Sequence, residues 1–265
     1  MSIYNADGVK ILDRLDTFID NMNIDYEFDS PSDANYTILR IYQTKIDGTK
    51  QYPFVYSPNG IDGATDSTLS MNRRDKWPFA INAGIFDTSG GKVPLGLLIQ
   101  NGVILQRGPA GTVTERRPLT IDSNGNLGCV LDNADADELI ANGCVSAVCG
   151  FGSIIEDYQA IDVSYIPNYL EQAQRQIIGQ FGNGDYAILT CEGRSWDNSD
   201  GWTMAEAQAV CQKHGLKFAY NLDGGGSTET VIGQRQVNAI YDGTTGRIVP
   251  TYIVFNGTNV FGKVV

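Results

Sequence analysis

Apolar and polar positions change period several times along the 265-residue chain. From Val9 to Met22, the residues Leu12, Leu15, Ile19 and Met22 recur at helical spacing beside Phe18. Asp13, Asp16 and Asp20 fall on the opposite side, which predicts one amphipathic helix. Tyr36 to Tyr42 and Tyr52 to Tyr56 are short and β-like, with Asp47-Gly48 between them as a hairpin turn. Asp62 to Asp75 is polar and predicts a loop. Phe79 to Asp87 is apolar enough for a buried strand, interrupted by Asn82 and Gly84. Val103 to Val130 predicts several short strands with turns at Gly108-Pro109 and Asn124-Gly125-Asn126, and Asp135 to Ala141 a short helix. Thr203-Met204-Ala205-Glu206 has the form of a capping box, so a helix should run from Met204 to Lys213 and stop at His214-Gly215. Together these elements predict an α+β fold: a single domain of mixed, largely antiparallel sheets with packed helices, plus an N-terminal amphipathic helix. Residues 1–30 read as a helical extension and 31–265 as the domain.

One segment concentrates chemistry. Asn221-Leu222-Asp223-Gly224-Gly225-Gly226-Ser227-Thr228 sets an acid, three glycines and hydroxyls between two predicted strands, Phe218-Ala219-Tyr220 and Thr230-Val231-Ile232. Three successive glycines cost backbone entropy on ordering, so the position should need unusual φ values or close backbone approach. A nest of N–H groups holding an anion is one use of such a loop. A glycine-rich hairpin with Asp223 ordering it through an Asx-turn is the other. In the same way Asn82, inside an apolar run, requires definite partners, because an unmatched buried amide costs about 1–3 kcal/mol.

Composition narrows the function. The net charge is −12, a poor match for a protein that tracks a nucleic-acid backbone, so no nucleic-acid partner is expected and any phosphate should be met locally by a few arginines. With 42% hydrophobic residues, a chain of this length can bury a full core without staples. The five cysteines, Cys129, Cys144, Cys149, Cys191 and Cys211, show no zinc spacing and predict reduced core residues, with a Cys144–Cys149 bridge left open by spacing. No basic and apolar leader is visible at the amino terminus, and no apolar run reaches the ~20 residues of a membrane span, so a soluble protein without a secretory signal is expected, cytoplasmic when made. His214 is the only histidine, which removes serine-hydrolase triads and histidine-rich metal sites. No cofactor is expected. A carboxylate-bound divalent cation stays open, since Asp87, Asp197, Asp200 and Asp223 offer oxygen ligands without EF-hand spacing.

The order of several short motifs resembles the phosphodiester glycosidase family. They are Ile81-Asn82-Ala83-Gly84-Ile85-Phe86, Pro94-Leu95-Gly96-Leu97-Leu98-Ile99 with Asn101-Gly102, Arg175-Gln176-Ile177-Ile178-Gly179, Glu192-Gly193-Arg194, Gly201-Trp202-Thr203-Met204-Ala205-Glu206, the Asn221 to Ser227 cluster, and Arg247-Ile248-Val249, spread from Phe79 to Phe255. Two places depart from the family pattern: Gln174-Arg175-Gln176, where proline and threonine flank the arginine, and Glu229, where a small or apolar residue is usual.

The resemblance implies a hydrolase that cleaves a sugar-1-phosphodiester bond, with a glycosyl phosphodiester or cell-surface glycopolymer as substrate. Asp223 is then the first catalytic candidate, with Glu192 and Glu229 as candidates for a partner carboxylate. Arg175, Arg194 and Arg247 correspond to family arginines and suit phosphate by their fork geometry. Gly224, Gly225, Gly226 and Ser227 would supply neutral donors around the same oxygens. Asn82, Gly84 and Asn221 are assigned to substrate binding, the two asparagines either orienting sugar hydroxyls or holding loops together. Trp196, in the polar loop Ser195 to Asp200, is the aromatic best suited to stack on a sugar. The alternative is a non-catalytic carbohydrate-binding or virion structural protein on the same fold, with the N-terminal helix docking on the domain or joining copies of the chain; members of the family also occur in phage proteins.

Overall fold

The computed structural model describes residues 21–109, 116–193, 199–240 and 246–255. Within them the chain forms three sheets whose ladders are all antiparallel. The largest has seven strands in the order β1 (Met22–Asp29), β2 (Ala34–Ile41), β13 (Tyr186–Cys191), β12 (Arg175–Gln180), β14 (Phe218–Asn221), β10 (Gly152–Glu156) and β11 (Gln159–Ala160). A second sheet runs β16 (Arg235–Gln236), β15 (Thr230–Ile232), β4 (Phe79–Asn82), β17 (Tyr252–Phe255) and β3 (Pro53–Tyr56). The third runs β6 (Val103–Gln106), β5 (Leu98–Gln100), β9 (Cys144–Val148), β7 (Leu119–Asp122) and β8 (Leu127–Cys129).

The seven-stranded sheet forms the middle layer. Its central strands β12 and β13 are buried at every residue; β13 is a near-continuous apolar run, whereas β12 buries Arg175, Gln176 and Gln180 with hydrogen-bond partners for each. Ile177, Leu189 and Ala219 pack toward α3 (Met204–Lys213), under Trp202, Ala207, Val210 and Cys211. Ile178, Ile188 and Tyr220 point the other way, into a core shared with Ile81 and Ile253 of the second sheet and Leu98, Leu119 and Val148 of the third. A closed polar ring crosses this apolar seam. Gln176 Nε2 donates to Thr190 Oγ1 at 3.1 Å, the Thr190 and Thr230 hydroxyls pair at 2.7 Å, and Thr230 Oγ1 donates to Gln176 Oε1 at 3.2 Å. Because each buried group is matched only in this alignment, the ring fixes β15 against β12.

The short elements follow their caps. Thr203 and Glu206 form the expected reciprocal box at the start of α3, with Glu206 N donating to Thr203 Oγ1 at 3.3 Å and Thr203 N to Glu206 Oε2 at 2.7 Å. Asp135 caps α2 (Ala136–Ala141) by accepting from Asp137 N and Glu138 N. All five cysteines are free thiols. Among the described residues no helix is long and apolar enough to cross a membrane.

Three expectations need correction. Asp62 to Asp75 is not wholly a loop: Thr68–Asp75 forms α1, capped by Ser67, whose side chain accepts from Ser70 N. The helix was hidden because few of its residues are apolar; it is held instead by tertiary burial of Thr68, Met71 and Asn72. The extension drawn over residues 1–30 also runs too far. Met22 opens β1 and packs with Leu39 and Ile41, since Ile24, Tyr26 and Phe28 continue it at the period of a strand. The remainder of the amphipathic stretch, through Asp20, lies outside the described residues. Asp47-Gly48 does turn, with Gly48 N bonded to Lys45 O at 2.8 Å, but β2 and β3 on either side belong to different sheets.

Removing the α3 box by Thr203→Ala should lower unfolding free energy by about 1 kcal/mol. Denaturant titration measures it, and an unchanged midpoint would show that the cap is redundant.

Candidate active site

The Asp223 loop begins where a strand changes partners. Leu222 N still bonds Gln176 O of β12 at 2.9 Å, but Asp223 N turns to Ala83 O, just past β4, at the same distance. Asn82 secures that switch. Its Nδ2 donates to Asp223 O at 2.7 Å, and its Oδ1 accepts from Glu229 N at 3.0 Å. The side chain is 0% exposed with both ends of its amide taken, so Asn82 holds the loop, one of the two roles expected of it.

The three glycines serve steric ends. A Cβ on Gly224 would stand 2.7 Å from Gln174 O, and Gly225 has φ +57°, the left-handed region that glycine enters without strain. On Gly226 a Cβ would collide with the Arg247 guanidinium, which lies over it and donates from Nη1 to Ser227 Oγ at 3.4 Å. The expected nest of amides is largely turned inward. Gly224 N donates to Asp223 Oδ1 at 3.0 Å and Gly225 N to Gln174 O at 2.8 Å.

What this loop presents is a cavity of about 180 Å³, where Asp223, Gly224, Gly225, Arg175 and Arg247 meet Asn168, Glu171 and Ala173. Ile177–Asn221 is the last pair of the β12–β14 ladder, and two residues beyond it on either strand Arg175 and Asp223 line the same cavity. The Arg175 guanidinium is oriented by backbone carbonyls, Nε to Trp202 O at 2.9 Å and Nη2 to Glu171 O at 2.7 Å. A larger chamber of about 710 Å³ adjoins the first across Phe151, Pro167, Asp223 and Arg247, and reaches Ile85, Leu95, Arg116 and Tyr165.

Burial pushes the Asp223 carboxyl up to about 6. The Ser227 hydroxyl, the Arg247 charge and the Gly224 N–H all favour the ionised form but do not offset the loss of water. The group therefore changes charge in the range where a general base is useful.

Other residues singled out from the sequence lie elsewhere. Glu192 is buried away from both chambers and accepts from Tyr26 Oη at 3.2 Å and Ala239 N at 3.1 Å. Glu229 is buried beside the start of α1. Among the described residues no donor meets its oxygens with hydrogen-bond geometry, and burial raises its pKa against the weaker opposing pull of the Thr68 and Leu69 amides. Asn221 is fully buried, without a side-chain partner among the described residues. Gly84 is a packing residue, since a Cβ there would lie 2.6 Å from Val148 Cγ2. Arg194, Trp196 and Asp197 fall outside the described residues. The remaining acids proposed for a cation, Asp87, Asp200 and Asp223, do not gather: no group of three or more His, Cys, Asp or Glu is arranged for a metal among the described residues.

Sequence reasoning missed Phe151, Tyr165, Pro167, Asn168, Glu171 and Arg116. They come from segments with no motif of their own, and the glycines on either side of Phe151 are the one local cue.

Comparison with known proteins bears on the family and the fold. A family model described as phosphodiester glycosidase matches residues 75–256. The SPbeta prophage-derived protein YomE of Bacillus subtilis (strain 168) is 29% identical over 192 residues, covering 71% of this chain but only 29% of the relative, so the chain spans less than a third of that protein. Among solved structures, the catalytic domain of zebrafish N-acetylglucosamine-1-phosphodiester alpha-N-acetylglucosaminidase, auto-inhibited by its pro-peptide, superposes with a TM-score of 0.68 at 16% identity, over 88% of this chain and 81% of that one. A protein from Synechocystis gives a TM-score of 0.60 at 14% identity over 88% and 61% of the two chains. These two likenesses speak to the fold alone. Since the family model covers well over half of the sequence, the chain belongs to the phosphodiester glycosidase family.

Proposed function

We propose that the chain hydrolyses a sugar-1-phosphodiester bond, with Asp223 as the reacting carboxylate and Arg175 and Arg247 as the cations that face the phosphate. The observation that carries this reading is the meeting of these three side chains at one small cavity in a member of this family. Breaking the anomeric C–O bond leaves positive charge on the sugar ring and negative charge on the departing phosphate monoester. A carboxylate beside the ring stabilises or attacks the first, and guanidinium groups stabilise the second. A phosphate monoester leaves readily without a proton, so the chemistry does not require Glu192 or Glu229 at the cleft. Asp223, poised near neutrality, can also take the proton of the attacking water. Glu171 is the other acidic residue lining the cavity. The bond-breaking step is the same whether the alcohol on the far side of the phosphate belongs to a cell-surface glycopolymer or to a simpler aglycone, so the walls beyond Arg247 decide between them.

The prophage origin of YomE supports a second reading, in which the fold serves carbohydrate adhesion on a phage particle without turnover. The two part on one measurement, release of free sugar from a phosphodiester substrate.

Asp223→Asn should reduce that release by at least about 10²-fold while thermal unfolding at pH 7 holds or improves. The sign follows from the raised native pKa: the folded state penalises the ionised carboxylate, so stability due to this group falls as pH rises from 3.8 through about 6, and a neutral amide escapes that loss. Retained turnover would remove Asp223 from the mechanism.

The kcat/KM profile should climb through about pH 6 to a plateau, reporting ionisation of Asp223. In Arg247→Gln that limb should move to higher pH, because a cation favouring the ionised form is gone. A limb that stays in place, or moves down, contradicts the coupling.

A further inference from the structure

A phosphodiester has two ends, and the two chambers that meet at Asp223 and Arg247 differ in chemistry. The smaller offers Arg175, Asn168, Glu171 and the Gly224-Gly225 backbone, a polar surround suited to a hydroxylated ring. Phe151 and Pro167 stand between the two, and the larger adds Ile85, Phe86, Leu95 and Tyr165. Tyr165 adds little polarity there, since its hydroxyl already donates to Ser153 O at 3.1 Å. Beyond the shared Asp223 and Arg247, the hydrogen-bonding side chains that line this chamber among the described residues are Thr88 and Arg116. Its aliphatic wall is also firm. Leu95 N bonds Ile85 O at 3.1 Å, and Phe86 and Pro94 form a β-bridge beside them.

A polyol entering such a space would find Thr88 and Arg116 as its partners beyond the shared pair, and each hydroxyl left unmatched loses its water for nothing in return. An alkyl chain loses only unfavourable contact with water. We propose that the large chamber takes an aliphatic aglycone, so that the substrate class is sugar-1-phosphodiesters of alkyl, lipid-like alcohols, not those of sugars or glycerol. This rests on the phosphodiester reading of the same site: phosphate facing Arg175 and Arg247, sugar among Asn168, Glu171 and the Gly224-Gly225 backbone of the small chamber, aglycone in the large one.

The released phosphate monoester keeps the phosphate and the aglycone, so its binding tests the idea without turnover and without knowing the sugar. Calorimetric titration of the full chain would compare inorganic phosphate, glycerol 1-phosphate and octyl phosphate, the last below the concentration at which it self-associates. Octyl phosphate is expected to bind at least about tenfold more tightly than glycerol 1-phosphate. Leu95→Gln, at a half-buried position, should shrink that preference to about threefold or less while inorganic phosphate binds as before, with Ile85→Asn as the second variant if the first unfolds. Equal affinities, or a preference for glycerol 1-phosphate, would overturn the inference and leave the hydrolase reading intact. An octyl preference unchanged in both folded variants would place the alkyl chain elsewhere and overturn it too. Failure of all three ligands to bind would remove the phosphate site at Arg247, and with it both readings.

Discussion

The carboxamide of Asn82 is the joint on which the site depends. It is fully buried between the seven-stranded sheet and the sheet carrying β4 and β15, and it uses both ends of its amide, one on the Asp223 carbonyl and one on the Glu229 amide. Two adjacent bonds make the joint rigid: Asp223 N to Ala83 O and Gly225 N to Gln174 O. Behind it the Gln176–Thr190–Thr230 ring sets the two sheets in register. The loop is thus tied to both layers, so its conformation is settled before any ligand arrives, which is the condition for electrostatic stabilisation without reorganisation.

The charge pattern follows from that placement. The chain as a whole carries −12, yet the cavity at the sheet junction is lined by two arginines drawn from distant parts of the sequence. Asp223 sits among them and still has a raised pKa, so burial outweighs the favourable Arg247 charge. Glu229, one bond away from Asn82 through its backbone, is also pushed up by burial, but its carboxylate faces α1 and neither chamber includes it. Two carboxylates close in sequence are thereby separated: one opens to the cleft and the other is sealed behind it.

Much of this was legible locally. The capping box at Thr203 gave the start of α3 because its hydrogen bonds lie within four residues. Phe218 to Tyr220 and Thr230 to Ile232 gave β14 and β15, and the break between them marked the loop. By contrast, α1 has few apolar residues and is held by contacts with β4 and β15, so no window of sequence announces it. The strand at Met22 was masked because Met22 fits the end of a helical stripe as well as the start of an alternating one.

The sequence by itself determined the antiparallel architecture, the place of Asp223 at a strand end and the family to which the chain belongs, since each is carried by short-range periodicity or by motifs in a fixed order. Tertiary structure alone decided which carboxylate faces the cleft, that Asn82 is spent on holding the loop while Gly224 and Gly225 line the cavity, and that a more apolar chamber adjoins the polar one. The physical reason is common to all three. Burial, desolvation and steric closeness are properties of neighbours in space, and here those neighbours arrive from Ile85, Phe151, Tyr165, Arg175 and Arg247, positions that no local pattern links.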